Sequence, residues 1–95
     1  MYLVTGAAGF IGFHLSLYLL KKKIDVIGID NINNYYDQKI KLDRIKILKK
    51  YKNYFFKKIN IENTKKVESV FNKYKIDNVV NLAAQAGVRY SVSHP

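Results

Sequence analysis

The sequence predicts an α/β fold in which strands and helices alternate to build a parallel sheet. Two observations lead to this prediction: short apolar runs recur along the 95 residues, and segments of helical periodicity separate them. A helix that crosses between two strands returns the chain in its original direction, so the strands are expected to be parallel. The predicted element order is β-α-β-α-β-α-β, with strands in the spatial order 3-2-1-4.

The first strand and the turn after it contain the most informative motif. Tyr2 to Thr5 is an apolar run that ends at glycines in Gly-x-x-Gly-x-x-Gly spacing. Gly6 can take the positive φ of a tight turn. Gly9 would let a phosphate approach the backbone, and Gly12 would let the next helix pack closely on the strand. With the exposed N–H groups and positive dipole of that helix, the motif predicts the phosphate-binding turn of a Rossmann-type dinucleotide fold.

A carboxylate ends the second predicted strand, which runs from Asp25 to Asp30. Asp30 follows Gly12 by eighteen residues, about where a βαβ dinucleotide site needs an acid for the adenosine ribose hydroxyls. The alternative is a generic α/β turn with a chance terminal Asp. No lysine or arginine follows Asp30 until Lys39, so a 2′-phosphate would meet the acid without a cation. The expected cofactor is therefore NAD rather than NADP.

The remaining elements are predicted from periodicity and capping residues. A second helix is predicted from an apolar stripe of Leu42, Ile45 and Leu48, three apart and with charges elsewhere. A third helix is predicted from an apolar stripe from Val67 to Tyr74. The predicted bounds are about Phe10 to Lys22 for helix one, about Asp37 to Lys50 for helix two, Tyr54 to Ile59 for strand three, a helix three capped by Asn63 or Thr64, and Asp77 to Leu82 for strand four.

Composition limits the possible functions. Ninety-five residues form at most one small domain, and the absence of cysteine fits a reducing compartment. The net charge is +10, but only Arg44 and Arg89 among the seventeen basic residues are arginine, the residue that base readout favours. We therefore expect solvated lysine faces and no nucleic-acid partner. No apolar run is long enough to span a bilayer and no metal-ligand set is evident, so a cytoplasmic protein without a membrane partner is expected.

Three stretches of the chain resemble a known family. Residues Val4 to Gly12, Gly28 to Asn31 and Asn81 to Ser91 are similar to the N-terminal third of extended short-chain dehydrogenases/reductases, the NAD-dependent nucleotide-sugar epimerases and dehydratases. Ala83 to Ser91 is the most specific stretch and is most similar to UDP-glucuronate 4-epimerases. The resemblance covers essentially the whole chain, and it implies an N-terminal part of an NAD-binding Rossmann domain that is truncated after strand four.

The resemblance also implies roles for individual residues. The pyrophosphate would be held by Gly6, Gly9, Phe10, Ile11 and Gly12, and the adenosine ribose by Asp30 and Asn31. Asn60 and Ile61 would lie beside the adenine, Leu82, Ala83 and Ala84 along the middle of the cofactor, and Gln85 and Arg89 on the substrate side. The family usually has Asp at position 60, so the Asn here implies a weaker adenine contact. For Arg89, a surface or helix-capping cation is the alternative.

The catalytic residues of the family are not expected in this chain. The family's reaction uses NAD+ to remove hydride from the sugar C4 while a tyrosine, its pKa lowered by a lysine, takes the hydroxyl proton. Its Ser/Thr and Tyr-x-x-x-Lys lie beyond position 95. The matching spacings here, Tyr18/Lys22, Tyr35/Lys39 and Tyr54/Lys58, fall away from the nicotinamide end, so no catalytic residue is assigned.

The chain is thus expected to be the front part of an epimerase that lacks its catalytic and sugar-binding parts. Alone, it should be catalytically silent and only marginally folded. The complete protein would bind a nucleotide sugar and form a homodimer. Two alternatives remain at this point: a cofactor-sensing or interaction module that binds NAD without catalysis, and a small basic nucleic-acid binder.

Overall fold

The predicted elements are all present, in the predicted order, in a computed structural model that describes residues 1–32 and 38–82. Their bounds agree with the predicted ones to within two residues. The elements are β1 (Tyr2–Thr5), α1 (Phe10–Lys21), β2 (Val26–Asp30), α2 (Gln38–Leu48), β3 (Tyr54–Lys58), α3 (Thr64–Lys73) and β4 (Asn78–Asn81).

The strands form one parallel sheet in the order β3-β2-β1-β4, which confirms the predicted order 3-2-1-4. Thr5 at the end of β1 pairs with Ile29 on one side and Asn81 on the other, and Asp30 pairs with Lys58. Because the strands are parallel and in this register, their carboxyl ends meet at one edge of the sheet. The residues that follow β1, β2, β3 and β4 therefore lie side by side.

The helices are divided unequally between the two faces of the sheet, with α1 and α2 on one face and α3 on the other. Side chains alternate between the faces along each strand, so each face has its own core. The face covered by α1 and α2 has a buried core that includes Val4, Leu19, Leu20, Val26, Ile45, Leu48 and Tyr54. The face covered by α3 has a smaller core formed by Leu3, Ile27, Ile29 and Val70. No helix within the described residues is long and apolar enough to cross a membrane.

Helix α3 confirms the predicted capping, whereas α2 differs from its predicted stripe. The Asn63 side chain caps α3 by accepting a hydrogen bond from the Lys66 N–H at 3.2 Å. In α2, Ile45 and Leu48 are buried but Leu42 is 52% exposed. Positions three apart are displaced by about 60° around a helix of 3.6 residues per turn, so three of them cannot share a narrow buried face. Including Leu42 in the apolar stripe was therefore wrong.

The middle of the sheet contains one unusually close contact between neighbouring strands. A Cβ added to Gly28 in β2 would lie 2.2 Å from the Tyr54 hydroxyl oxygen and 2.8 Å from the Ala7 Cβ. Tyr54 is buried, and among the described residues its hydroxyl has no hydrogen-bond partner. Burial, and then the negative charge of Asp30, raise the pKa of Tyr54. Gly28 is thus the residue that lets the Tyr54 ring lie against β2 beneath the glycine turn.

Candidate functional site

The turn after β1 has the backbone conformation that its glycines predict. Gly6 has φ of 71°, a value that residues with a side chain rarely adopt. The Gly6 and Ala7 N–H groups both donate to the Ile29 carbonyl, at 2.9 and 3.2 Å, and the Gly9 N–H donates to the Gly6 carbonyl at 3.0 Å. These bonds join the turn to the end of β2.

Gly12 and Gly9 are constrained very differently by the surrounding protein. A Cβ at Gly12 would lie 2.2 Å from the Gly6 carbonyl oxygen and 3.1 Å from the Ala7 Cα, both of them backbone atoms. This confirms that Gly12 lets α1 pack closely on the turn. A Cβ at Gly9 would lie 3.3 Å from the Gly6 oxygen, and the Gly9 φ of −72° is ordinary. The protein itself therefore requires glycine much less strictly at position 9.

The first turn of α1 presents hydrogen-bond donors without competing acids. Gly9 is its N-cap, makes no side-chain cap, and is followed by a first turn with no acidic residue. The first helical N–H groups, those of Phe10, Ile11 and Gly12, have no acceptor within the helix. The Phe10 and Ile11 side chains are 64% and 65% exposed. Free N–H groups and a positive helix dipole make this turn suitable for an anion.

Asp30 is held directly against this turn. Its carboxylate is buried, and Oδ2 accepts a hydrogen bond from the Ala8 N–H at 3.0 Å. Oδ1 accepts one from the Ile32 N–H at 2.8 Å. A carboxylate has about four acceptor positions, so two bonds leave capacity for a ligand's hydroxyl groups. The predicted proximity of the glycine turn and the acid is thus realised in the fold.

Two cations from α2 also lie at this site, and the sequence prediction missed both. Lys41 Nζ is 3.6 Å from Asp30 Oδ1, and its side chain is 19% exposed. Arg44 Nη1 donates to the Ala8 carbonyl at 3.0 Å, with its guanidinium 5.9 Å from the Phe10 ring centre. The prediction considered only the residues directly after Asp30. The three-residue spacing of Lys41 and Arg44 indicates that both lie on one face of the helix, but it does not indicate that this face meets Asp30.

The residues expected beside the adenine follow β3, next to Asp30. The Ile59 N–H donates to the Asp30 carbonyl at 3.2 Å, which fixes this proximity. Asn60 is exposed and its Oδ1 accepts from the Glu62 N–H at 2.9 Å, while Ile61 is buried. The Asn60 amide oxygen, the atom able to accept from the adenine amino group, is therefore already used once within the chain. Asn31, half-buried, directly follows Asp30.

Leu82 lies on the opposite side of β1 from Asp30. Its N–H donates to the Thr5 carbonyl at 3.2 Å and to the Thr5 Oγ1 at 3.0 Å. The Thr5 hydroxyl in turn donates to the Asn81 side-chain oxygen. These bonds anchor the end of β4 beside the glycine turn. The other residues predicted along the cofactor or on the substrate side, Ala83, Ala84, Gln85 and Arg89, lie outside the described residues.

The described Tyr-x-x-x-Lys spacings lack the features of a catalytic base. Tyr54 is buried with a raised pKa, whereas a tyrosine base needs a lowered one. Lys22 Nζ lies 5.4 Å from the ring centre of the exposed Tyr18, a surface cation–π contact on α1. Tyr35 lies outside the described residues. The described part of the chain therefore offers a binding turn and an acid, but no evident base.

A parallel 3-2-1-4 sheet, a three-glycine turn at the start of α1 and an acid at the end of β2 define a member of the Rossmann class. The family model described as GDP-mannose 4,6 dehydratase matches residues 3–95. The chain belongs to this family, which is part of the NAD-dependent epimerase/dehydratase group of extended short-chain dehydrogenases/reductases. This confirms the resemblance inferred from the sequence motifs.

Relatives and solved structures agree with this assignment. The UDP-glucuronate 4-epimerase of Thermodesulfobacterium geofontis is 46% identical over 99% of this chain and 29% of its own length. The UDP-glucuronic acid 4-epimerase of Bacillus cereus, solved with UDP-glucuronic acid and NAD, matches 93% of this chain and 27% of its own at 39% identity and a TM-score of 0.75. The dTDP-glucose 4,6-dehydratase of Bacillus anthracis, solved with NAD, matches 90% of this chain and 27% of its own at 31% identity and a TM-score of 0.76.

These matches cover nearly all of this chain but only a minor part of each relative. The chain spans less than a third of the length of the curated relatives. The shared portion contains the sheet β1 to β4 and the glycine turn.

Proposed function

We propose that this chain is the NAD-binding portion of a nucleotide-sugar epimerase, with UDP-glucuronate as the substrate of the complete protein. One observation carries the proposal: the Asp30 carboxylate accepts a hydrogen bond from the Ala8 N–H at 3.0 Å. That contact unites the acid of β2 and the glycine turn of β1 in a single site. The relatives named UDP-glucuronate 4-epimerases support the choice of sugar.

In the proposed complex, the chain binds both the pyrophosphate and the adenosine of the cofactor NAD. The N–H groups of Phe10, Ile11 and Gly12 face the pyrophosphate, where the positive end of the α1 dipole stabilises negative charge. Asp30, with Asn31 beside it, accepts hydrogen bonds from the ribose hydroxyls, and Asn60 with Ile61 borders the adenine. Leu82, Ala83 and Ala84 line the middle of the cofactor, and Gln85 and Arg89 face the substrate.

The bound NAD+ would supply hydride acceptance at the sugar C4 and its return to the opposite face. A tyrosine base must take the hydroxyl proton, and Tyr54 is unsuited because its buried hydroxyl has a raised pKa. We infer from the family resemblance that the base and the sugar site belong to a part of the complete protein outside this chain. This division agrees with a chain that spans less than a third of its relatives. A homodimeric complete protein in the cytoplasm is part of the same proposal, and the lack of cysteine is consistent with that compartment.

The other function to consider is an NAD-binding regulatory or interaction module. The absence of an evident base among residues 1–32 and 38–82 is the observation in its favour. The encoding gene separates the two readings: an open reading frame that continues into Tyr-x-x-x-Lys supports the epimerase. In either case the 95-residue chain alone should not epimerise UDP-glucuronate, because no residue among 1–32 and 38–82 is positioned as a base to take the proton. Turnover above a no-protein control would contradict this.

Calorimetric titration of the purified chain with NAD and NADP tests the proposal. NAD should bind at least about tenfold more tightly, roughly 1.4 kcal/mol, because Asp30 repels a 2′-phosphate. Equal affinities, or no NAD binding, would overturn the cofactor assignment.

Gly9→Val tests the turn itself. An added Cβ there would lie 3.3 Å from the Gly6 oxygen, a tight contact that a shift of a few tenths of an ångström relieves. The branched side chain would also occupy the space of the pyrophosphate. NAD binding should be lost while far-UV circular dichroism stays close to unchanged. Tyr18→Val, at an exposed position in the same helix, is the matched control and should bind normally. If Gly9→Val also binds NAD normally, the glycine turn has only a structural role.

A further inference from the structure

We propose that Lys41 and Arg44 form a latent site for the phosphate of a 2′-phosphorylated adenosine, and that Asp30 keeps this site closed. The inference rests on the proposed function, because it assumes that the adenosine ribose binds at Asp30. It adds a specificity role for two α2 residues, beyond the repulsion between Asp30 and a 2′-phosphate on which the expected preference for NAD already rests.

The position of Lys41 is the first part of the argument. Its ammonium lies 3.6 Å from Asp30 Oδ1, beyond a short hydrogen bond but well within ion-pair range. A ribose hydroxyl bound to that carboxylate lies at a hydrogen-bond distance from it, about 2.7 Å. When a ribose hydroxyl is bound to Oδ1, the Lys41 ammonium therefore lies at most about 6 Å from that hydroxyl oxygen, within reach of a phosphate attached to it.

The position of Arg44 is the second part. One of its N–H groups donates to the Ala8 carbonyl at 3.0 Å, and the N–H of the same residue, Ala8, binds Asp30 Oδ2. The guanidinium is thus anchored at the same turn as the carboxylate. A guanidinium has five N–H donors in a fixed plane, so one bond to Ala8 leaves donors for a phosphate.

Asp30 offsets this positive charge in the native chain. Its carboxylate is buried and accepts two backbone N–H bonds, which hold it in place beside Lys41. A 2′-phosphate would meet this fixed negative charge directly. Without the acid, Lys41, only 19% exposed, would be a poorly solvated cation lacking its counter-charge, and an incoming phosphate would replace that charge.

The test compares Asp30→Asn, Lys41→Met and the double variant. Asn keeps the size of Asp30 and one acceptor oxygen, and Met keeps most of the apolar stem of Lys41 without its charge. The probes are NAD, NADP, and their adenosine halves 5′-AMP and 2′,5′-ADP, titrated by calorimetry. Lys46→Met is the matched control, because Lys46 is an exposed lysine in the last turn of the same helix.

Asp30→Asn should reverse the native preference, so that NADP and 2′,5′-ADP bind more tightly than NAD and 5′-AMP. Adding Lys41→Met should then weaken NADP binding about tenfold while NAD binding changes little. Arg44→Lys in the Asp30→Asn background should also weaken NADP binding, because the planar donor fork is lost. Lys46→Met should leave the NAD/NADP affinity ratio unchanged.

Lys41→Met alone covers the case in which Asp30→Asn fails to fold. It should raise the preference for NAD, because the already weak NADP binding loses its nearest cation. If the native chain binds NAD but neither Lys41→Met nor the double variant changes the NADP affinity, the latent phosphate site is excluded and the proposed function stands. If the native chain binds neither dinucleotide nor 5′-AMP, the proposed function fails and this inference fails with it.

Discussion

Strands β2 and β4 both have apolar centres, yet they occupy opposite environments in the sheet. All five residues of β2, Val26 to Asp30, are buried between β1 and β3. In β4, Val79 and Val80 are only half-buried, and Asn78 and Asn81 are exposed. Within the described residues, β4 pairs with β1 and with no strand on its other edge. Strand β2 is thus held by pairing on both sides, whereas β4 is held by pairing with β1, by the packing of Val79 and by the polar contacts of Thr5.

This difference also locates the site. Asp30 ends the fully buried strand β2, and hydrogen bonds from Gly6 and Ala7 to Ile29 fix the glycine turn against the end of that strand. The edge of β4 that no described strand pairs, with the 36% exposed Leu82 beside it, agrees with the marginal folding expected of the chain alone. An unpaired edge of this kind also predicts self-association. Both stay predictions, and sedimentation at increasing protein concentration would test the association.

The largest effect is expected from Gly12→Ala at the centre. The new Cβ would lie 2.2 Å from the Gly6 carbonyl oxygen, so the helix or the turn must move. We expect a loss of about 3 kcal/mol in the free energy of unfolding, the upper range for overpacking, and loss of NAD binding. Urea denaturation measures the first and calorimetry the second. Gly9→Ala, with its Cβ at 3.3 Å, is the control and should lose much less stability. Equal losses of stability in Gly12→Ala and Gly9→Ala would mean that the backbone is no more tightly packed at Gly12 than at Gly9.

Gly28→Ala tests the contact between β2 and β3. The added methyl would lie 2.2 Å from the Tyr54 hydroxyl oxygen and 2.8 Å from the Ala7 Cβ, and overpacking of this kind costs about 1–3 kcal/mol. Combining it with Tyr54→Phe should recover part of the loss, because the nearest clashing atom is removed. Tyr54→Phe alone should be neutral or slightly stabilising, because its hydroxyl is buried without a described partner. Additive effects in this double-mutant cycle would argue against a direct contact.

A smaller effect is expected at the edge from Asn81→Ala. This change removes the side-chain oxygen that accepts a hydrogen bond from the buried Thr5 hydroxyl. One such hydrogen bond contributes about 1 kcal/mol to the free energy of unfolding. Thermal unfolding can detect a loss of that size. Asn78→Ala, an exposed asparagine at the other end of β4, controls for the change in strand propensity. If both variants unfold at the same temperature, the Thr5–Asn81 contact does not anchor the edge.

The smallest effect is expected from Asp77→Asn, just before β4. The hydrogen bond from the Met1 ammonium, at 2.7 Å, and its positive charge lower the pKa of this exposed Asp77. Because the folded pKa lies below the unfolded one, the stabilisation is present above the unfolded pKa and is lost as the pH falls through the folded pKa. The difference in Tm between the native chain and Asp77→Asn should therefore be slight at pH 7 and vanish in acid. High salt should also reduce it. A difference that grows in acid would contradict this assignment.

Most of the fold was predictable because its signals are local. Each strand and helix is specified by periodicity within a short window, and the glycine turn, α1 and β2 follow one another within thirty residues. The order 3-2-1-4 then follows from the Rossmann pattern that the glycine turn and the acid of β2 indicate. The error at Leu42 arose because the stripe was counted at intervals of three, while the helix repeats at 3.6 residues per turn.

The sequence by itself determined the element order, the positive-φ turn at Gly6 and the placement of Asp30 at the end of β2. These features depend on residues that are close along the chain or on general rules of parallel sheets. Only the tertiary structure decided that Lys41 and Arg44 lie at Asp30 and the turn, and that Tyr54 lies against Gly28. Those contacts depend on how α2 packs beside α1 and how β3 pairs with β2. Packing angle and register bring together side chains whose spacing along the chain has no fixed value, so no local pattern encodes them.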